Sequence, residues 1–583
     1  MSEPTIGSRL SNAALSGRSV RFLDRNERAE TLSYADIHTR ALRIAGGLEA
    51  LGLRPGDRAA IILPTSPRFY DAFFGAILAG VIPVPLYPPV RLGRLEEFHA
   101  RTTAMVEACG ARIVLTENRI RRLLGETIER SRPALGCIAL DDFEGCETEA
   151  FERGPDDVAF IQFSSGTTRA PKPVALTHRQ ILANVRAIMA TITKTHPTGS
   201  DASHVGVSWL PLYHDMGLVG AVLSAVDHPG DLVLIPPELF VTRPSIWLRA
   251  ISRYRGTISP APNFAYALCA DRIRDEELEG VDLSSWRVAL NGAEPVTPGV
   301  LQRFVERFRP YGLREEALTP VYGLAEATLA VTFSDVGGAF RYDRFDRDSL
   351  TRKNEARPAP DGLSLVSVGR PLPGFSVRVT DDLGTPLRAG RIGRVRVRGP
   401  SIMAGYFGME EATEKCLPDG WLDTGDTGFL HGGELYLFGR AKDLIVIRGR
   451  NHAPQDIEQA ADEVPGVRRG CCAAVGILSE SADGEALLLL VERARTGACG
   501  DDEELAERVR GHVNAVTGLR PDHVKILEPG TLPRTSSGKI RRSEARRRCL
   551  AGELHPPARI GAVRLAGAMM RSSLGFARAR RAH

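Results

Sequence analysis

Short runs rich in β-branched and apolar residues alternate with helical patterns through the first two-thirds of the chain. That alternation is the signature of a mostly parallel sheet covered by helices. An early unit predicts a strand over 58–63, a helix over 68–78 and a second strand over 81–86. Gly80 suits the helix end, while Pro83 and Pro85 weaken the second strand and Pro88-Pro89 mark its exit. Further apolar runs fall at 205–210, 232–235, 257–259 and 288–290, each followed by Pro or Asn. Loops therefore gather where strands finish, and in open α/β sheets that rim is where ligands bind.

A chain of 583 residues exceeds one ordinary core, which stops growing near roughly 250–300 residues, so at least two domains are expected. The first spans 1–439. From about 362 the pattern turns to alternating stretches at 375–380 and 394–398 separated by Gly and Pro, which reads as a small antiparallel unit. After Gly439 an α+β pattern begins. It predicts strands over 444–447, 472–477 and 486–491 and helices over 454–463 and 502–516, in a C-terminal domain of residues 440–550 whose boundary lies near 440–442. The segment 551–583 carries six arginines and no acid after Glu553. It reads as a flexible, solvated or membrane-surface appendage, disordered or loosely helical.

Hydrophobic residues make up 43% and charged residues 25% of the chain, and the formal charge is only +4. Those values suit a globular protein with a small-molecule substrate and argue against a nucleic-acid binder. Nine cysteines show no metal-ligand spacing and read as reduced thiols of a cytoplasmic protein. The N-terminus lacks the apolar core of a signal peptide, and no apolar run reaches the ~18–20 residues of a membrane span.

Chemistry concentrates in FIQFSSGTTRAPKPVALTH at 160–178. An apolar strand runs into Ser164, Ser165, Gly166, Thr167 and Thr168, and a second strand and a helix follow Lys172. Clustered hydroxyls and exposed N–H groups can wrap phosphate oxygens, and Lys172 adds a point charge. Taken alone, such a loop reads equally well as a Ser/Thr-rich turn. The GxxxxGK[ST] string of another triphosphate-binding class is absent, since Gly538-Lys539 is followed by isoleucine.

The loop resembles the phosphate loop of the adenylate-forming superfamily. Six further segments match in family order: SWLPLYHDMGLVG at 208–220, VALNGAEPV at 288–296, VYGLAEATL at 321–329, WLDTGDTGFL at 421–430, GRAKDLIVIRGRNHAPQDIE at 439–458 and PRTSSGKIRR at 533–542. The resemblance implies a large N-terminal α/β domain of mostly parallel sheets with a small antiparallel β unit, followed by a small mobile α+β domain. It implies that a carboxylate attacks the α-phosphorus of ATP, giving an acyl-adenylate and pyrophosphate.

By that resemblance Tyr322 stacks on adenine beside Gly323 and Leu324, with Asn291, Gly292, Ala293 and Glu294 as the opposite wall. Glu326, one helical turn after Tyr322 if a helix begins there, binds Mg²⁺ with the phosphates, and Thr167 assists. Asp426 accepts from the ribose hydroxyls and Arg440 holds the same sugar. Lys539 bridges the carboxylate and the α-phosphate. Lys442 is the hinge of the small domain, and His214 gates the meeting point of carboxylate and ATP. Outside that context a lone tyrosine is more often core and a lone aspartate a turn residue, while a satisfied, buried histidine is the alternative reading of His214.

The tyrosine-histidine-aspartate string, NHAPQDIE and an extra segment at 333–362 resemble the fatty acyl-AMP ligase branch. That branch implies a fatty acid substrate and an acyl-carrier protein as acceptor. An acyl-CoA synthetase using CoA is the enzymatic alternative, and a silent acyl- or nucleotide-binding homologue is the non-enzymatic one. Pro173 departs from the commoner phosphate loop, where glycine stands. Acyl length and oligomeric state are not encoded in any motif.

Overall fold

The computed structural model describes residues 3–89, 92–143, 145–146, 148–164, 171–193, 204–447, 450–478, 485–494, 501–535, 538–557 and 562–581. Its largest sheet has nine strands. Six of them, Leu318–Gly323, Val288–Asn291, Ile258–Ala261, Val205–Ser208, Asp231–Leu234 and Ser19–Leu23, run parallel side by side. Antiparallel strands close both edges. A second, four-stranded parallel sheet holds Ile82–Leu86, Arg58–Ile62, Ile113–Thr116 and Cys137–Ala139. The expected strand at 81–86 thus forms despite its two prolines.

Helix Pro67–Leu78 opens with proline at its first turn and closes before Gly80, whose φ is +69°. Residues Phe69 to Leu78 are all buried, as befits a largely apolar helix packed on every side, and Asp71, the one charged residue among them, is paired with Arg40 at 2.6 Å. Helix His178–Ile192 begins at Thr177 in a reciprocal cap. The Gln180 N–H donates to Thr177 Oγ1 at 3.2 Å, and the Thr177 N–H donates to Gln180 Oε1 at 3.0 Å.

The antiparallel expectation after 362 is met by a four-stranded sheet of Ser376–Thr380, Gly393–Arg398, Leu422–His431 and Glu434–Arg440. The segment at 333–362 contains strand Tyr342–Phe345 and helix Arg347–Lys353. It touches the C-terminal part of the chain: Arg347 pairs with Asp456, and Arg450 Nη1 lies 3.2 Å from Asp348 Oδ1. Beyond Arg440, strands Val467–Leu478, Glu485–Arg493 and His523–Leu527 form one sheet, flanked by helices Pro454–Asp462 and Asp502–Thr517.

This α+β unit sits on the large domain through several contacts. Arg94 donates to the carbonyls of Gly530 and Thr531, both at 3.1 Å. Glu97 receives Arg548 at 3.1 Å and Arg541 at 3.7 Å.

The basic tail differs from the appendage expected. Ala562–Arg581 is a 20-residue helix lying on helix Gly125–Ser131 of the large domain. Ala568, Ser572, Gly575 and Ala579 are its buried stripe, at the 4-3-4 spacing of one helical face. The Gly125 N–H donates to Ser572 Oγ at 2.7 Å. A Cβ at Gly125 would fall 1.7 Å from the Ser572 carbonyl oxygen, so only glycine allows this approach. Arg571 and Arg578 reach Glu126 and Glu129 at 3.0 and 3.3 Å. Two of the tail's arginines are therefore answered by acids on the large domain. Among the described residues no helix is long and apolar enough to cross a membrane.

Candidate active site

A cleft of about 2600 Å³ opens where the carboxyl ends of the parallel strands face the C-terminal unit. Ser164 and Lys172 line it, placed by the hairpin of Val158–Phe163 and Pro173–Thr177 in the register Phe163 to Pro173. The Ser164 N–H donates to the Lys172 carbonyl at 2.9 Å, and the Lys172 N–H donates to Ser164 Oγ at 3.1 Å. Ser165, Gly166, Thr167 and Thr168, named from the sequence, lie outside the described residues. Pro173 causes no loss of pairing. It is the first residue of its strand, where a missing N–H is tolerated, and its carbonyl accepts from the Phe407 N–H at 2.8 Å.

Tyr322 and Glu326 are not on one helical turn. Tyr322 is the penultimate residue of strand Leu318–Gly323, and Glu326 occupies a single 3₁₀ turn, Ala325–Ala327. The chain must turn sharply here because strand Ala330–Phe333 folds straight back. A Cβ at Gly323 would lie 1.7 Å from the Leu329 carbonyl oxygen. Thr328 leaves the turn at φ +72°, a strained value for threonine, and is held there by its hydroxyl donating to the Ser401 carbonyl at 2.7 Å.

Buried Asn184 completes the brace. Its amide donates to Ala330 O and Ser401 Oγ at 2.8 and 2.9 Å, and its carbonyl accepts from the Ala330 N–H at 3.1 Å. Asn184 and Ser401 carry no motif that sequence reasoning could have used. Only the fold brings them together.

Asp426 and Arg440 are paired across a hairpin. Arg440 Nε lies 3.1 Å from Asp426 Oδ1, and the Tyr322 hydroxyl donates to Oδ2 at 2.6 Å. The carboxylate beside Arg440 pushes the guanidinium's pKa up, and burial raises the Tyr322 phenol well above its usual value. Leu324 lines the same space.

Of the expected opposite wall, Ala293 and Glu294 line the cleft while Asn291 and Gly292 do not. Asn291 is fully buried and donates to Asn263 Oδ1 at 3.1 Å, and the Gly292 N–H donates to Ala261 O at 3.3 Å. Glu294 Oε1 accepts from the Phe264 N–H at 2.5 Å, and burial raises its pKa.

His214 precedes the turn Asp215–Gly217, and its ring centroid lies 5.0 Å from that of Tyr213. Both residues line the cleft. The Gln162 side chain fixes them by donating to the Tyr213 carbonyl at 2.7 Å. The apolar run that follows is π-helical over Leu218–Leu223, a form frequent at functional sites that no sequence period announces.

Lys539 enters from the other side. Its N–H donates to Thr535 Oγ1 at 3.0 Å and its carbonyl accepts from the Thr535 N–H at 2.8 Å, which closes a tight loop around Gly538. Burial lowers the pKa of its ammonium, while Asp215 and Glu294 pull the other way and Arg440 adds to the lowering. Asp215 in turn is raised by burial and lowered by Lys539. Asp215 was legible in its motif but had no role there. Lys442 follows the hairpin in a turn where the Asp443 N–H donates to Arg440 O at 3.0 Å, and it also lines the cleft.

Among the described residues no three His, Cys, Asp or Glu side chains gather as a metal cage. A lone carboxylate such as Glu326 fits a Mg²⁺ ion that takes its remaining ligands from phosphate and water. The arrangement thus sets cations (Lys172, Arg440, Lys539) and acids (Asp215, Glu294, Glu326, Asp426) around one space. That suits joining two anions with compensation of the developing charge.

Comparison with known proteins identifies the family. The family model described as AMP-binding enzyme matches residues 12–407. A protein of Caulobacter vibrioides that carries a provisional acyl-CoA synthetase name is 36% identical over 556 residues, covering 94% of this chain and 96% of the relative. The long-chain-fatty-acid–AMP ligase FadD23 of Mycobacterium tuberculosis is 34% identical over 541 residues, covering 88% and 90%. A solved structure from work on fatty acyl-adenylate ligases of E. coli and L. pneumophila superposes with a TM-score of 0.86 at 35% identity, covering 94% of this chain and 98% of that one.

Proposed function

The chain belongs to the AMP-binding enzyme family and is an ATP-dependent acyl-adenylate-forming ligase, and we propose that it activates a fatty acid and passes the acyl group to the phosphopantetheine thiol of an acyl-carrier protein. The observation that carries this reading is the convergence of Lys539, Asp426, Arg440, Glu326 and Lys172 on one cleft from strands and loops far apart in the chain. In this reading Asp426 and Arg440 hold the ribose, and Lys172 meets the triphosphate. Glu326 is the protein's ligand for Mg²⁺, which offsets phosphate charge when bound. Lys539 stabilises the negative charge that grows on the α-phosphate as a carboxylate oxygen bonds to phosphorus and the bond to pyrophosphate breaks.

A fatty substrate is supported by the apolar wall beside His214, where Met216, Ala221, Phe264 and Leu268 line the same cleft, and by the names of relatives such as FadD23. Carrier-protein transfer is supported by the segment at 333–362, which the fatty acyl-AMP ligase branch shares by resemblance and which here abuts the C-terminal unit. Lys442, in the turn between the two parts, serves as the hinge that reorients that unit between half-reactions.

CoA as the acceptor is the second reading, favoured by the name of the Caulobacter relative. Purified protein with fatty acid, ATP and Mg²⁺ should release pyrophosphate only when the acid is present. It should then acylate a holo-carrier protein and leave CoA unreacted. Efficient acyl-CoA formation would replace the carrier by CoA, and no acid-dependent pyrophosphate release would remove the fatty-acid reading.

A further inference from the structure

We propose that Tyr406 is a positioning residue for the reaction, its hydroxyl orienting the Glu326 carboxylate toward the bound nucleotide's cation. The inference rests on the reading of Glu326 given above. The Tyr406 hydroxyl donates to Glu326 Oε1 at 2.9 Å, and both side chains line the cleft. One lone pair of that oxygen is thereby taken up, which leaves the other oxygen the freer one to face a cation.

The backbone holds this tyrosine from several sides. Gly405–Tyr406 is a short strand paired with Pro173–Thr177, Tyr406 lying opposite Val174. The Tyr406 N–H donates to Thr413 Oγ1 at 2.9 Å, the Phe407 N–H to Pro173 O at 2.8 Å, and the Met403 N–H to Glu326 O at 2.8 Å. The segment is therefore tied both to the Glu326 turn and to the strand that leaves Lys172. The Lys172 ammonium lies 4.2 Å from the Tyr406 ring centroid, within reach of a cation–π attraction, so the ring is pinned on its face as well.

The direction of the hydroxyl proton follows from chemistry. Cys416 Sγ lies 3.6 Å from the same oxygen, but a carboxylate is a far stronger acceptor than a thiol. An ordinary phenol, with a pKa of about 10, carries its proton at neutral pH. A neutral donor against a carboxylate is the outer partner that fixes a metal ligand's orientation, and its loss usually weakens the metal about 10–100-fold.

The test is calorimetric titration of the full chain with α,β-methylene ATP at graded Mg²⁺ concentrations, for wild type, Tyr406→Phe, Glu326→Gln and the double variant. Tyr406→Phe keeps the ring and its packing. It should raise the Mg²⁺ concentration for half-maximal tight binding about 10–100-fold while leaving Mg²⁺-free affinity and thermal melting unchanged. Because the hydroxyl acts through Glu326, the double variant should match Glu326→Gln alone; additive shifts would mark a separate structural role and overturn the proposal. If Glu326→Gln shifts the midpoint and Tyr406→Phe does not, the proposal falls while the reading of Glu326 stands. If neither shifts it, both fall.

Discussion

The phenolic oxygen of Tyr322 lies 2.6 Å from Asp426 Oδ2, while Arg440 holds the opposite carboxylate oxygen at 3.1 Å. The acid assigned to the ribose is thus fixed from both sides by residues 104 and 14 positions away in sequence. Hydrogen bonds to a charged group contribute about 1.5–3 kcal/mol, so Tyr322→Phe is expected to raise KM for ATP about tenfold. Turnover should change little, because the sugar contact is shared by ground and transition states. Steady-state pyrophosphate release over a range of ATP concentrations measures both.

Lys539→Ala should lower kcat by about 10²–10³, the usual loss on removing a donor to developing charge, with unchanged thermal melting. The acting form is the ammonium, and burial sets its pKa below the ordinary 10.5. The rate should therefore fall on the alkaline side earlier than for a solvated lysine. Asp215 opposes that lowering, so Asp215→Asn should move the alkaline limb to still lower pH. A limb left in place would show that Asp215 does not sense Lys539.

His178 offers a stability test far from the cleft. It is 2% exposed, its Nδ1 accepts from the Ile6 N–H at 3.1 Å, and burial takes its pKa from 6.5 to about 4. The folded value lies below the unfolded one. The contribution is therefore complete above pH 6.5 and is lost as pH falls from there toward 4, roughly 3 kcal/mol in all. His178→Asn, which keeps an acceptor for Ile6 but cannot charge, should flatten the dependence of Tm on pH across that window.

Gly125→Ala should free the C-terminal helix, since the new Cβ would overlap the Ser572 carbonyl. Hydrogen exchange across 562–581 should accelerate sharply while the parallel sheets keep their protection. Unchanged exchange would mean that the helix finds another seat on the large domain.

The parallel sheets were legible because their strands are short apolar runs closed by Pro, Gly or Asn, and the predicted strand at 58–63 matches Arg58–Ile62 to a residue. The cleft residues were legible where a motif carried them, as with Asp426 and Lys539. Other features depend on contacts between distant segments. Glu326 was placed on a helical turn because its spacing from Tyr322 fits one, yet the returning strand at Ala330 forces a tighter bend. Asn184 and Ser401 meet from 217 positions apart, and Tyr406 reaches Glu326 from 80. The tail misled because its arginines drew more notice than the small residues at 568, 572, 575 and 579, whose spacing is what docks it.

With that helix docked, the C-terminal unit is tied, besides its side-chain contacts, through the chain itself at two points. One is the turn after Arg440. At the other, Pro557 packs near Gly530, and helix Ala562–Arg581 begins five residues later on the opposite body. Five residues span at most about 17 Å. Were the unit to swing about Lys442 as proposed, carrying Pro557 farther than this from Ala562 would peel the helix off and uncover the small-residue stripe at 568, 572, 575 and 579.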